Sequence, residues 1–594
     1  MKWEKFLMLI NYFLRRKSFI FVLSILYFLF FVPIAGAGNE RTVALVMKAL
    51  SNPFFSKMKE GAKKYAQEEN IPLEVFGVER ETDIERQIGI VENLISRGYG
   101  AIVIAPADSK KLVPICKAAL KKNIIVINID NPFHQGTMDQ HGISIPFVGS
   151  DNRTGAGMVG KYIKEKLKGR GRVIVIEGIR GVENADLRKE GFIGEVTKNS
   201  AIKVVSTESA NWHTDEAFSL SIKLLRSNDT IDAIFAANDN MALGALQALD
   251  LMDLTGKVLV AGYDNIESVR DAMSNGRIHA TIEQHPELMG EFGVKMAWEA
   301  LNGGEIPDYQ ATPLDLITYE AFNKTIGLSI SNLNNPFFNS LHKGAQEAAD
   351  LFGAKLIIAD AKNLEAQQLT DIFNLSKQKV DLLIINPTNS ETITPAIETA
   401  NQNHIPIITV DRKASEGKIL SHIESDNIQG GRMAADVLAR LIKGKGKIIE
   451  IEGIPGTSAS YERGQGFNEA LGKYPGIKVV AREIGNFDRK EAKEIMKRLL
   501  EKGVDFDGVF AYNDNMILGV MDALADHKDQ RHRVLIGFDA IREAVNAVHE
   551  GKLSATIAQK PGTMGRLAVQ NAVRIFRGET LPATVAVELK VIEK

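Results

Sequence analysis

The chain contains the same pattern twice. The tetrapeptide NPFF at residues 52–55 returns at residues 335–338, and the segment ATIEQHP at residues 280–286 returns as ATIAQKP at residues 555–561. Between them, FAAND at residues 235–239 is matched by FAYND at residues 510–514. A repeat with a period of about 275 residues is far longer than a solenoid unit, so each copy must fold around its own core. We therefore expect two self-sufficient domains, at residues 38–321 and 322–594.

Residues 1–37 have the pattern of a secretory signal peptide. Basic residues at Lys2, Lys5 and 15–17 precede an apolar run at residues 19–34, and the small residues Ala-Gly-Ala follow at 35–37. This order of charge, apolar stretch and cleavage signal is typical of export. The alternative is an uncleaved N-terminal helix that anchors the protein in the membrane. In both cases we expect the remainder to be periplasmic or otherwise extracytoplasmic.

The composition excludes some partners. Lys and Arg together number 72 and Asp and Glu 74, for a formal net charge of −2. Such a chain has no basic field with which to bind nucleic acid. Cys116 is the only cysteine, so an intrachain disulfide is impossible, and the apolar helical pattern around it predicts a core position.

The order of apolar runs predicts an α/β fold. In the first copy, short runs at residues 43–47, 73–78, 101–105 and 124–129 alternate with helical patterns, and a second series of five strands begins at residue 172. Continuous apolar strands separated by helices are typical of a parallel sheet covered on both faces. About ten strands per copy are too many for one simple open sheet, so each copy is predicted to have two lobes.

The motifs of common enzymes are missing. A GxGxxG spacing occurs at residues 155–160, but the matching segment at residues 427–433 lacks it, and we interpret the glycines as part of a helix start. The sequence has no GxSxG elbow, HExxH, CxxC or P-loop motif, and its eleven histidines show no ligand spacing. We expect a binding protein rather than an enzyme, without cofactor or metal.

Polar and aromatic residues follow the strands of the second copy. Ligands of open α/β sheets bind beyond the carboxyl ends of the strands, so these residues are predicted to converge on one cleft between the lobes. Three Phe rings, two Arg, two Asp and several amides suit a sugar, because rings cover C–H faces and polar groups bind hydroxyls. Each residue alone is more often a core, cap or turn residue. The set consists of Asn335, Phe337, Phe338, Asp411, Arg412, Arg463, Phe487, Asn513, Asp539 and Gln559.

From Lys324 onward, the second copy resembles the ribose-binding protein family, the periplasmic substrate-binding components of ABC sugar importers. The resemblance lies in NNPFF at 334–338, NPT at 386–388, VDR at 410–412, ERGQGF at 462–467, NFDR at 486–489 and GFD at 537–539. It implies a type I periplasmic-binding-protein fold, in which two Rossmann-like lobes joined by a three-strand hinge close around a sugar. It also implies that the ten residues above contact D-ribose, and that a monomer delivers the sugar to a permease of the inner membrane.

The first copy, from about Arg41 to Tyr319, is similar to the same family but departs from the ribose type. Asn131 stands where the second copy has Arg412, and Trp212 stands where it has Phe487. These changes predict a different pentose or hexose, with some resemblance to the allose-binding branch. The corresponding candidate residues are Asn52, Phe54, Phe55, Asp130, Asn131, Arg188, Trp212, Asn238, Asp264 and Gln284.

Two other functions are compatible with a fold of this kind. One is a periplasmic sensor that presents the sugar to a chemoreceptor or membrane kinase, and the sequence does not separate it from an importer component. The other is a sugar-responsive repressor, but a secretion signal occupies the end where a DNA-binding helix-turn-helix would lie.

Overall fold

The computed structural model describes residues 41–228, 230–527 and 531–594. The predicted signal peptide at residues 1–37 lies outside the described residues. The chain separates into two compact units, one extending to Ile317 and the other running from Thr318 to Lys594.

The first unit alternates strands and helices along its whole length. Its strands are β1 Val43–Ala49, β2 Leu73–Val78, β3 Ala101–Ile104, β4 Ile125–Ile129, β5 Phe147–Gly149, β6 Arg170–Glu177, β7 Ala201–Ser209, β8 Ala233–Ala236, β9 Leu259–Ala261, β10 Ala280–Glu283, β11 Tyr309–Ala311 and β12 Asp315–Thr318. Its helices are α1 Pro53–Glu68, α2 Ile84–Ser96, α3 Val113–Leu120, α4 Gln135–His141, α5 Asn152–Lys166, α6 Glu183–Val196, α7 Thr214–Arg226, α8 Asp239–Leu251, α9 Glu267–Ser274 and α10 Pro286–Leu301.

These strands form two six-stranded sheets, each the centre of one lobe. The amino-terminal lobe has the order β11-β5-β4-β3-β1-β2, and the carboxy-terminal lobe has the order β12-β10-β9-β8-β6-β7. The chain crosses between the lobes after β5, after β10 and after β11, so three segments form the hinge. The central strands are buried on both faces, as their continuous apolar runs require.

The second unit repeats this architecture. Its strands are β13 Thr325–Ile330, β14 Lys355–Asp360, β15 Leu382–Ile385, β16 Ile407–Val410, β17 Ser421–Ser425, β18 Lys445–Glu452, β19 Gly476–Ile484, β20 Gly508–Ala511, β21 Val534–Asp539, β22 Ala555–Ala558, β23 Thr584–Val587 and β24 Lys590–Glu593. Its helices are α11 Pro336–Phe352, α12 Glu365–Lys377, α13 Thr394–Gln402, α14 Asn427–Leu441, α15 Ser458–Leu471, α16 Arg489–Glu501, α17 Asp514–Ala525, α18 Arg542–His549 and α19 Pro561–Phe576, and a 3-10 turn covers Tyr319–Ala321.

The sheets of the second unit have the orders β14-β13-β15-β16-β17-β23 and β19-β18-β20-β21-β22-β24. β24 pairs with β22 in antiparallel orientation, whereas β18 to β22 pair with one another in parallel. The predicted α/β class, with two lobes per copy, is confirmed. The strands that the apolar pattern missed in the first unit, β5, β11 and β12, have only three or four residues each.

The glycines at residues 155–160 serve helix packing. They lie inside α5, where a Cβ on Gly160 would come within 2.7 Å of the Phe192 carbonyl of α6, and a Cβ on Gly155 within 2.2 Å of the Tyr263 hydroxyl. This supports our interpretation that they are not a dinucleotide loop. Cys116 is buried in the core of the amino-terminal lobe, as predicted. Within the described ranges, we find no helix with the length and apolar character needed to cross a membrane.

Candidate ligand-binding sites

The second unit has a small cavity between its lobes. All ten residues predicted from the second copy line it, and Ala459 is an eleventh. The amino-terminal lobe supplies residues from the start of α11 and the end of β16, and the carboxy-terminal lobe supplies residues from α15, β21 and the loops after β19 and β20. Gln559 lies on the hinge crossing after β22.

Several of these residues also hold the backbone around the cavity. The Asn335 side chain caps α11 by accepting from the Phe337 amide at 3.0 Å, and the Asn513 side chain caps α17 by accepting from the Met516 amide at 2.9 Å. The remaining amide of Asn513 donates to the Phe487 carbonyl at 3.3 Å. Each of these two asparagines therefore caps a helix and also lines the cavity.

Three residues of the wall have left-handed backbone conformations. The φ angles are 66° at Asp411, 56° at Phe487 and 118° at Asp539. Such conformations cost about 1–3 kcal/mol each and are retained where the surroundings fix them, often at binding sites. At Phe487 the ring also packs on Gly453, where an added Cβ would lie 2.1 Å from the ring.

The cavity wall carries two pairs of buried opposite charges. Arg412 Nε lies 3.8 Å from Asp411 Oδ2, and Arg463 Nη1 lies 3.6 Å from Asp539 Oδ1. Arg463 is fixed by donating to Asn427 Oδ1 at 2.9 Å and, from Nη1, to the Tyr512 carbonyl at 2.6 Å. All four charged residues are less than a tenth exposed. The wall therefore has no net charge, which suits a neutral ligand.

Burial disfavours the charged forms of these four groups, so it raises the pKa of each carboxyl group and lowers the pKa of each guanidinium group. It raises the pKa of Asp411 above its usual range and that of Asp539 to about 7. It lowers the pKa of Arg412 to about 10 and also lowers the pKa of Arg463. The opposite charges within each pair counteract the effect of burial, so the wall is held in a costly, preorganised state.

Some polar atoms of this wall lack a partner. Among the described residues, Arg412 Nε and Gln559 Oε1 are buried and make no hydrogen bond. The Gln559 amide nitrogen donates to Asp539 Oδ1 at 2.8 Å, so its orientation is fixed and its oxygen is left over. A buried donor and a buried acceptor without partners are costly unless a ligand or water satisfies them.

A second carboxyl group supports Asp539 from behind. Asp514 accepts from the Thr556 hydroxyl at 2.7 Å and from the Ile541 amide at 2.8 Å. These bonds hold the turn in which Asp539 and Ala540 both have positive φ. Burial raises the pKa of Asp514 well above its usual value.

The first unit has a cavity of similar size at the equivalent place. Eight of the ten predicted residues line it: Asn52, Phe54, Phe55, Asp130, Arg188, Trp212, Asn238 and Asp264. Three unpredicted residues line it as well, namely Lys48, Glu81 and Asn184. Asn131 and Gln284 lie beside the cavity and not in its lining.

The two residues outside the lining have structural partners. Asn131 is fully buried and donates to the Pro106 carbonyl at 3.0 Å, while its oxygen accepts from the Asn184 amide at 3.3 Å. Gln284 donates to Asp264 Oδ1 at 2.7 Å and accepts from the Ser150 hydroxyl at 2.6 Å. Both therefore position residues of the wall.

Lys48 supplies the cation that Asn131 lacks. Its Nζ atom lies 3.2 Å from Asp130 Oδ2, and both side chains are about 97% buried. It also lies 5.5 Å from the centre of the Phe55 ring, whereas Arg412 lies 5.3 Å from the equivalent Phe338 ring. The second unit has Ser331 at the position of Lys48. The first cavity therefore also has a cation beside its aspartate, but this cation lies on β1, whereas Arg412 of the second unit follows β16, the counterpart of β4.

The other two additions make the first cavity more polar. Glu81 comes from the loop between β2 and α2 and accepts from the Asn52 amide at 3.1 Å. Asn184 replaces the Ala459 of the second unit, and its Oδ1 atom is buried without a hydrogen-bond partner among the described residues. A loop carboxylate and an amide oxygen are thus available beyond the set that both cavities share.

The remaining pair of charges is conserved in geometry between the units. Arg188 Nη1 lies 3.3 Å from Asp264 Oδ1 and donates to the Ala237 carbonyl at 2.8 Å. Burial raises the pKa of Asp264 well above its usual value, and the Arg188 charge opposes this. Trp212, with φ of 70°, packs on Gly178, where a Cβ would lie 2.1 Å from the ring.

Two hinged lobes with a lined cavity between them are the architecture of periplasmic binding proteins. The chain belongs to the family of periplasmic binding protein domains, whose model matches residues 43–305 and again residues 326–580. The match is therefore a tandem one. It agrees with our prediction that the chain is a binding protein and not an enzyme.

Relatives of this chain correspond to about half of it each. The ribose import binding protein RbsB of Haemophilus influenzae is 44% identical over 271 residues, which are 46% of this chain and 91% of that protein. The D-ribose/D-allose-binding protein of Pseudomonas aeruginosa is 39% identical over 299 residues, covering 48% of this chain and 93% of that protein. The D-allose-binding periplasmic protein of Escherichia coli is 33% identical over 272 residues, covering 46% and 88%.

Solved structures cover a similar share. A periplasmic solute-binding protein of an ABC transporter from Actinobacillus succinogenes, with bound D-allose, is 35% identical and covers 47% of this chain and 98% of its own, with a TM-score of 0.46.

Proposed function

We propose that this protein is an exported sugar-binding component of an ABC-type importer with two sugar sites. Each unit binds one monosaccharide by closing its lobes, because ligand bonds to both lobes favour the closed state. The observation that carries the proposal is the pair of small cavities, each lined by two buried pairs of opposite charge and by buried polar atoms that make no hydrogen bond among the described residues. A small cavity lined by eleven residues suits a single sugar ring rather than an oligosaccharide.

For the second unit the proposed ligand is D-ribose. Phe337, Phe338 and Phe487 line the cavity together with charged and amide groups that can bind hydroxyls. The ribose import binding protein described above, which is 44% identical to this chain over 271 residues, supports ribose as a ligand. Delivery to a permease follows from the family and is part of the same proposal.

For the first unit the proposed ligand is a hexose of the D-allose type. Its wall adds Glu81 and Asn184 to the shared groups and replaces Phe487 by Trp212. Extra acceptors favour a sugar with an additional hydroxyl, since a site built to bind a hydroxyl rejects sugars that lack it. Two relatives of the chain are named for D-allose, so this sugar lies within the range of ligands bound by its relatives.

The test is calorimetry on the full chain with one cavity disabled at a time. Arg463→Ala leaves Asp539 buried and unpaired, and we expect it to abolish most ribose binding. Arg188→Ala in the first cavity should leave the ribose heat intact. Ribose heat that survives Arg463→Ala and disappears with Arg188→Ala would contradict the assignment.

The same variants separate the two sugars. With Arg463→Ala, a thermal-shift and calorimetric panel of pentoses and hexoses reports on the first cavity alone. We expect a D-allose-type hexose to bind more tightly than ribose. Ribose as the best ligand of this variant would refute our interpretation of Glu81, Asn184 and Trp212.

A further inference from the structure

The lobes of the second unit are bonded to each other outside the sugar cavity. The Ser390 amide donates to the Gly456 carbonyl at 2.9 Å, and the Ser458 amide donates to the Ser390 hydroxyl oxygen at 3.0 Å. The Lys413 amide donates to the Ser458 hydroxyl oxygen at 2.9 Å, and the Lys413 ammonium donates to Glu462 Oε1 at 2.8 Å. Ser390 and Lys413 belong to the amino-terminal lobe, and Ser458 and Glu462 to the carboxy-terminal lobe. We call Ser390, Lys413, Ser458 and Glu462 the clasp.

The Lys413 ammonium is held ready within its own lobe. It lies 3.0 Å from Glu424 Oε2, on β17 of the same lobe, and 2.8 Å from Glu462 on the opposite lobe. Burial lowers the pKa of Lys413, but hydrogen bonds to Glu462 and Glu424 outweigh it and leave this pKa above its usual value. Opening the lobes removes Glu462 from reach and leaves Glu424 in place. The Lys413–Glu462 pair therefore distinguishes the closed state from the open one.

The first unit cannot make the same contacts. Pro132 stands at the position of Lys413, Leu187 at that of Glu462 and Gly149 at that of Glu424. Proline has neither an amide hydrogen nor a charge, so the two bonds that Lys413 makes to the opposite lobe, to Ser458 and to Glu462, have no counterpart. Between these segments of the first unit, the Glu183 amide donates to the Ser109 hydroxyl oxygen at 3.1 Å and the Asn184 amide donates to Asn131 Oδ1 at 3.3 Å.

We propose that the Lys413–Glu462 ion pair of the clasp raises the sugar affinity of the second unit without touching the sugar. This rests on the proposed function of that unit. An interaction present only in the closed state shifts the equilibrium toward closure, and the apparent affinity rises with the fraction of closed molecules. Because the pair is partly exposed, the effect is modest and sensitive to salt. A neutral sugar has no charge of its own to be screened, so salt dependence of its binding reports on the protein.

The experiment measures ribose binding to the full chain carrying Arg188→Ala, so that only the second cavity responds. Between about 20 mM and about 500 mM NaCl, we expect the Kd to rise roughly threefold. Lys413→Gln and Glu462→Gln should each raise the low-salt Kd by a similar factor, mainly through faster dissociation, and remove most of the salt dependence. Lys473→Gln, at an exposed lysine of the same unit, is the matched control and should behave as the parent.

A second readout needs no sugar. Spin labels on the two lobes of the second unit report the fraction of ligand-free molecules with a short interlobe distance, and we expect Lys413→Gln to lower it. Ribose binding with a salt-independent Kd that neither substitution changes would overturn the clasp and leave the proposed function intact. A chain that binds no ribose at either salt concentration would overturn the ribose assignment, and an unchanged closed fraction in Lys413→Gln would then overturn the clasp separately.

Discussion

Lys48 offers a direct test of how the first cavity keeps its charges balanced. Replacing it with serine, the residue of the second unit at this position, leaves Asp130 buried without its cation. Breaking a buried ion pair by removing one partner costs about 3–5 kcal/mol. We take about 3 kcal/mol, because a small cavity beside Asp130 admits some water. For a unit of this size that corresponds to a fall in melting temperature of roughly 6–12 °C.

A compensating substitution makes the prediction specific. Asn131→Arg places a guanidinium where the second unit has Arg412, and Asn131 already donates to the Pro106 carbonyl as Arg412 donates to that of Pro387. We expect the double variant Lys48→Ser/Asn131→Arg to recover more than half of the lost stability, a clear departure from additivity. It should also bind ribose better than the parent cavity does.

The assay is calorimetric unfolding of the full chain, followed by sugar titration of each variant. Lys63→Ser, at an exposed lysine of α1, is the control and should leave the transition of the first unit nearly unchanged. If Lys48→Ser melts with the parent, or if Asn131→Arg deepens the loss in the double variant, the exchange of cation between β1 and β4 is not the reason for Lys48.

Two further predictions concern the cavity walls. Gly178→Ala should weaken sugar binding by the first unit at least tenfold, because the added Cβ would lie 2.1 Å from the Trp212 ring. The control Gly194→Ala, where no atom lies within 4 Å of the added Cβ, should leave the affinity unchanged. Equal affinities of the two variants would show that the position of the ring is unimportant. Ribose binding to the second unit should release a fraction of a proton near pH 7 and weaken as the pH falls from about 8 to about 6. The reason is that burial raises the pKa of Asp539 to about 7, while sugar hydroxyls favour the ionised form of Asp539. Binding heats that are identical in buffers of different ionisation enthalpy would contradict this.

The repeat and the strand pattern were enough to predict the architecture and ten of the eleven residues that line the second cavity. Nine of the ten predicted residues end or follow a strand or open a helix, whereas Arg463, expected in a loop, lies in the second turn of α15. Because the carboxyl ends of parallel strands meet at one edge, position along the chain already gave proximity. The asparagines at the helix starts show that one residue can cap a helix and line the cavity.

The first cavity was predicted less completely because its charge balance depends on contacts between distant segments. Lys48 and Asp130 are brought together only when β1 and β4 take their places in one sheet. A lysine directly after the buried strand residues 43–47 was the available signal, since lysine is almost never fully buried without a partner. Glu81 gave no comparable signal, because its loop has a different length in the two copies.

The placement of Trp212 has a practical consequence for work on the intact protein. The chain has three tryptophans, Trp3, Trp212 and Trp298, and all of them precede Thr318. Indole fluorescence is thus confined to the amino-terminal half, and Trp212 belongs to the wall of its cavity. A change in tryptophan emission during a titration reports occupancy of the first site alone, while calorimetry records both, so the two sites can be followed separately in one unmodified chain.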